Sequence, residues 1–97
     1  MIKSGALLKW GFINKKGNIV INPSFDDVSE FNEGLAAAKV GDKWGFIDKN
    51  GAVVIKPEYD AVTDFKDGIC KVSYIQKSIV YKYAYINKDN QFIWKSW

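Results

Sequence analysis

The chain has no histidine, no arginine, one cysteine and two prolines, and it holds no apolar run approaching the ~20 residues that cross a bilayer as a helix. Without histidine, the commonest general base, proton shuttle and metal ligand is missing. No G-x-S-x-G elbow, phosphate-binding loop or dinucleotide fingerprint takes its place. No catalytic residue, metal site or cofactor is therefore expected, and the chain reads as a non-enzyme. Arginine is the side chain suited to bidentate contacts with phosphate and guanine, so its absence argues against specific nucleic-acid recognition. Cys70 has no partner for an internal disulfide. Residues 1–8 lack the apolar core of an export signal, which makes a cytoplasmic setting without membrane association the expectation, and an extracellular one the alternative if a leader was removed.

What is present suits a folded chain. The 97 residues are 47% hydrophobic, 15% aromatic and 26% charged, too apolar for a disordered segment and enough for one modest core. Residues 1–97 are read as a single domain. The net charge is +3, with six lysines and six acids in residues 1–48 and eight lysines and five acids in residues 49–97. Solvated lysines on β surface account for so mild an excess.

The main signal is self-similarity. Lys9-Trp10-Gly11-Phe12-Ile13-Asn14-Lys15-Lys16-Gly17 superposes on Lys43-Trp44-Gly45-Phe46-Ile47-Asp48-Lys49-Asn50-Gly51, an offset of 34 residues. The match runs on without a gap: Pro23 falls on Pro57, Phe25-Asp26 on Tyr59-Asp60, and Val28, Phe31 and Gly34 on Val62, Phe65 and Gly68. A degenerate third copy starts at Lys82-Tyr83-Ala84-Tyr85-Ile86, where Tyr replaces Trp, Ala replaces Gly, and Asn90 takes the turn position of Gly17 and Gly51. Repeat one spans residues 9–42, repeat two residues 43–81 with a short insertion, and the partial third residues 82–97.

Each unit reads as hairpin, corner, hairpin. A strand from Trp10 to Asn14 turns at Lys15-Lys16-Gly17-Asn18 and returns along Ile19 to Ile21. Pro23 is expected to end that pairing. Residues 25–31 form an irregular corner in which Asp26 caps nearby amides, Glu33-Gly34 turns the chain into a strand over residues 35–40, and Gly41-Asp42 delivers it to the next unit. The fold class is all-β: tandem β-hairpin repeats forming one small antiparallel sheet, a sandwich or a partly closed barrel. Trp10 and Phe12 point one way and Gly11 and Ile13 the other, so the strand is apolar on both faces and belongs between neighbours. Gly11 and Gly45 mark either a close approach by another backbone or ring, or a β-bulge. The insertion lengthens the last hairpin into strands over residues 69–75 and 79–87 around Gln76-Lys77-Ser78, with Ile79, Tyr81, Tyr83 and Tyr85 sharing one face. The first strand is read as lacking a preceding hairpin partner. Two incomplete ends of this kind make a homo-oligomer joined through terminal strands an expectation.

The string K-W-G-[FY]-I-[DN]-x-x-G-x-x-V-I-x-P-x-[FY]-D-x-V-x-x-F-x-x-G-x-[AC] resembles the WG-repeat family of chiefly bacterial proteins, over residues 9–72 and more weakly over residues 82–94. The resemblance implies β-rich repeats without catalytic residues that serve as binding or interaction modules.

Residues that recur with the repeat are read as architecture: Trp10, Gly11, Trp44, Gly45, Pro23, Pro57, Asp26 and Asp60. Cys70 occupies the position of Ala36 and is read as a core thiol. The acids Asp26, Asp27, Glu30 and Glu33, and Asp60, Asp64 and Asp67, recur beside turns and are read as structural or solvated. Residues that break the repeat are the binding candidates: Tyr74, Tyr81, Tyr83, Tyr85, Trp94 and Trp97. The expected function is a non-enzymatic protein-binding module presenting these aromatics and neighbouring lysines to a protein partner. Small free-standing inhibitors or adaptors, including phage-encoded ones, take this form. The alternative is a carbohydrate or cell-envelope binding repeat.

Overall fold

The computed structural model describes residues 2–4, 9–13, 15–77 and 79–97, with the side chains of residues 2–4, 22, 23 and 81 outside the description. Asn14, read as a strand end, and Ser78, read as part of a loop, lie outside the described residues, as do the side chains of Pro23 and Tyr81. Among the described residues there is no helix, and eleven strands form three antiparallel sheets, none closed into a barrel. The first sheet is β1 (Ile2–Ser4), β2 (Lys9–Ile13) and β3 (Ile19–Phe25). The second is β4 (Asp27–Val28), β5 (Ala36–Val40), β6 (Lys43–Ile47) and β7 (Val53–Tyr59). The third is β8 (Ala61–Val62), β9 (Cys70–Gln76), β10 (Ile79–Ile86) and β11 (Phe92–Lys95). The all-β reading holds, with its one-sheet and barrel forms replaced by a stack of three sheets. β1 also corrects the expectation that the Trp10 strand opens the chain unpaired: Lys3 pairs with Trp10 and Ile2 with Gly11.

Packing explains the stack. Successive side chains of a strand point to opposite faces, so an apolar residue at every position of a central strand serves two cores at once. Phe12, Ile21 and Phe25 of the first sheet pack against Ala36, Ala38 and Ile47 of the second. Phe46, Ile55 and Tyr59 of the second pack in the same way against Cys70, Val72 and Ile86 of the third. Each interface thus sets an aromatic-bearing face against a face of aliphatic residues and a thiol or alanines, one repeat apart. Cys70 is that thiol, buried in the core, and burial pushes its pKa up although the Thr63 carbonyl accepts its S–H at 3.0 Å. Phe31 and Phe65 close the rims of the two cores, their rings 4.8 Å from Phe12 and 4.8 Å from Phe46 respectively.

The prolines do not end the second strand. β3 and β7 run through Pro23 and Pro57, and pairing that lapses after Phe12↔Ile21 and Phe46↔Ile55 resumes at Trp10↔Phe25 and Trp44↔Tyr59. Proline lacks an N–H for the ladder and sits in a bulge at little cost. The bulge in turn explains Gly45: a Cβ there would lie 2.2 Å from the Ile55 carbonyl oxygen and 2.7 Å from Pro57 N. The two explanations offered by the sequence for Gly45 are one structure. At the third copy Ser96 stands where Pro57 does, β11 pairs on through Ala84↔Lys95, and the Cβ of Ala84 fits, fully buried.

Asp26 and Asp60 sit where the chain leaves one sheet for the next. Their acceptors reach further than a local turn: Asp26 Oδ2 takes the Gly41 N–H at 2.7 Å and Asp60 Oδ2 the Ile75 N–H at 2.8 Å, while the other oxygens pair with Lys9 and Lys43. The lysine hydrogen bond and then the backbone N–H hold both carboxyls below the usual carboxylate range. Glu33 staples one turn to its successor, accepting from Asp67 N at 2.6 Å and Gly68 N at 2.9 Å, and Lys88 Nζ donates to the Glu33 carbonyl at 2.8 Å. The Gly68 and Asp67 amides and Lys88 keep that carboxyl below its ordinary range.

Candidate functional site

The last hairpin carries most of the residues that break the repeat, and the pleat sorts them onto two sides. Ser73 pairs with Tyr83, Lys71 with Tyr85 and Tyr85 with Trp94, which puts all five on the face turned away from the second sheet. The aromatic rings form a closed triangle: centroids lie 5.4 Å apart for Tyr83 and Trp94, 6.0 Å for Tyr85 and Trp94, and 6.4 Å for Tyr83 and Tyr85. Lys71 Nζ stands 4.7 Å above the Tyr83 ring, a cation–π contact. Trp94 is 49% exposed and Tyr85 36%.

Tyr74 and Trp97 do not join this triangle. Tyr74 pairs with Lys82 on the other face of β10 and packs beside Tyr59 at the rim of the core, 5.7 Å between centroids. Trp97 stacks edge-on to Tyr74 at 5.8 Å and to Phe92 at 5.6 Å, and Lys82 Nζ lies 4.6 Å from both the Tyr74 and Trp97 rings. Tyr59 itself is buried in the core, donates its O–H to Asn90 Oδ1 at 2.5 Å, and has its pKa pushed up chiefly by burial. These rings close the rim between the second and third sheets. A bulge between Val80 and Lys82 alters the expected alternation: Val80, not Ile79, falls in line with Tyr83 and Tyr85. The Tyr81 side chain is outside the description.

In register, Tyr85 and Trp94 of the triangle, with Lys71, replace residues that are buried one unit earlier. Ala37↔Phe46↔Ile55 of the second sheet corresponds to Lys71↔Tyr85↔Trp94 of the third, and Ala37, Phe46 and Ile55 all lie in the core against the next sheet. The site is the stacking face of the repeat, uncovered here and rebuilt with hydroxyls, an indole and a cation. Lys71 and Ser73 were missed from the sequence although the signal was there, since the 34-residue offset aligns them with Ala37 and Lys39.

The family described as "WG containing repeat" matches residues 10–44 and 44–74. The chain is a WG-repeat protein. The two matched WG repeats meet at Trp44, inside β6, so a repeat boundary cuts the second sheet rather than separating two sheets. No curated protein and no solved structure matches the chain. Among the described residues no group of carboxylates and thiol has the arrangement of a metal site.

Proposed function

We propose that this WG-repeat protein is a non-enzymatic binding module that engages another protein through the outer face of its third sheet, centred on Tyr83, Tyr85 and Trp94. One observation carries the reading: this face is in register with Ala37, Phe46 and Ile55, which are buried under a neighbouring sheet, whereas Tyr85 and Trp94 are exposed and Lys71 and Tyr83 are only half-buried. Tyr and Trp are the side chains that dominate binding at protein interfaces, each giving large contact area for few rotatable bonds. The three rings are inclined to one another by 41°, 56° and 83°, so they present no single flat platform.

The test compares the wild-type chain with a Tyr85→Ala/Trp94→Ala variant as affinity bait and on a glycan array. A defined set of proteins retained by the wild type and lost by the variant, with matching circular dichroism spectra, is the expected result. Glycan binding that disappears in the variant, with no difference in captured proteins, would replace this reading with the carbohydrate one.

A further inference from the structure

Charge is distributed unevenly along the stack. Residues 1–25 carry four lysines and no acid, residues 26–60 four lysines and eight acids, and residues 61–97 six lysines and three acids. The two outer sheets are therefore basic and the middle one acidic.

The uncovered face of the third sheet adds a local feature. Relative to the second sheet, a lysine at the rim (Lys39) has given way to Ser73, and a buried alanine in the middle (Ala37) to Lys71. Among the described residues no carboxylate lies within ion-pair distance of Lys71; its contact is the Tyr83 ring. Any surface that covers this face as a sheet covers its predecessor would enclose that ammonium, and an enclosed charge without a counter-charge is strongly unfavourable. A second copy stacked through its first sheet would bring no acid from that part of the chain, because residues 1–25 contain no Asp or Glu; Ile13 there is 40% exposed although its equivalents Ile47 and Ile86 are 1% and 0%.

Resting on the protein-binding reading above, we infer that the partner is an acidic protein surface: small apolar side chains that seat on Tyr83, Tyr85 and Trp94, with a carboxylate opposite Lys71. The small apolar part follows from what covers the equivalent faces within this chain, namely Ala36, Ala38 and Ile47 on the first sheet and Cys70, Val72 and Ile86 on the second. The acid follows from Lys71. Residues 61–97 carry six lysines against three acids, and the long-range attraction this excess adds for an acidic partner fades with salt.

The test uses the full chain and two cyclic β-hairpin peptides of one length. One displays Ala, Val and Glu on a single face, the other Ala, Val and Lys. In an NMR titration at low ionic strength the Glu hairpin should shift the Trp94 indole N–H and the Lys71 amide, bind about tenfold more tightly than the Lys hairpin, and lose that margin in Lys71→Glu. Equal binding of both hairpins, no binding of either, shifts centred on Trp10 or Trp44, or a dimer in sedimentation that Trp94→Ala dissociates would each overturn the inference. Failure of the broader reading has a different signature. If protein capture depends on Trp94 but is indifferent to Lys71→Glu and to salt, the acidic partner is wrong and the protein-binding face stands; if capture ignores Trp94→Ala, both fall.

Discussion

Gly45 shows how closely one position is constrained. The bulge of β7 lays the Ile55 carbonyl oxygen where a Cβ would be, at 2.2 Å, and the obstacle is backbone that cannot rotate away. Gly45→Ala is expected to destabilise the fold by about 3 kcal/mol or more, read as a fall in urea midpoint. At the corresponding Ala84, where no proline bulge exists, Ala84→Gly should cost only about 1–2 kcal/mol. Similar costs at the two sites would show that the bulge is not the cause. Asp26, Asp60 and Glu33 give a pH signature. Their pKa values are lowered in the folded chain, so the folded state binds fewer protons than the unfolded one as pH falls, and the stability they contribute is present above the unfolded value of about 4 and lost as pH drops through the folded values. Urea midpoints should hold between neutrality and about pH 5 and decline below about pH 4. Asp26→Asn/Asp60→Asn should lower the neutral midpoint and shallow the acid decline without abolishing it, because Glu33 keeps its two amide donors.

At the level of strands and sheets, the repeat predicts that equivalent residues do equivalent work only where a neighbouring sheet is present. Ile47 is sandwiched and Ile13 is not. Ile47→Ala should therefore cost about 2–5 kcal/mol, and Ile13→Ala under about 1 kcal/mol, in parallel denaturant melts. Turns and strands were readable from the chain because their determinants are local. Asn90 has φ +60° where Gly17 and Gly51 have +84° and +83°, as its place in the third copy implied, and hairpins appear at Gly41-Asp42 and around Lys77. The stacking was not readable. An apolar residue on both faces of β6 announces two neighbours but not that one of them is the previous unit and the other the next. The reach of Asp26 to Gly41 and the bulge at Tyr81 depend on register between distant strands. For the site, the pleat divides the aromatics singled out from the chain, with Tyr83, Tyr85 and Trp94 on one side and Tyr74 and Trp97 on the other.

Taken whole, the molecule is interleaved. Each sequence unit gives its corner strand to the sheet that follows, β4 after β3 and β8 after β7, so a cut at the sequence boundary and a cut at the sheet boundary remove different things. Residues 26–97 keep both four-stranded sheets and the core between them. Residues 43–97 lose β4 and β5 and with them Leu35 and Ala37 of that core, leaving β6 and β7 as a two-stranded ribbon against the third sheet. A cooperative urea transition is expected for the longer fragment, and one with a clearly lower midpoint for the shorter. The same interleaving bears on how such a chain can grow. Because the first two units are related by a fixed step of 34 residues, an in-frame duplication of any 34 consecutive residues within the regular repeats supplies one complete set of strands, wherever the breakpoints fall. The unit has no privileged first residue, and lengthening the array does not depend on where the copying begins.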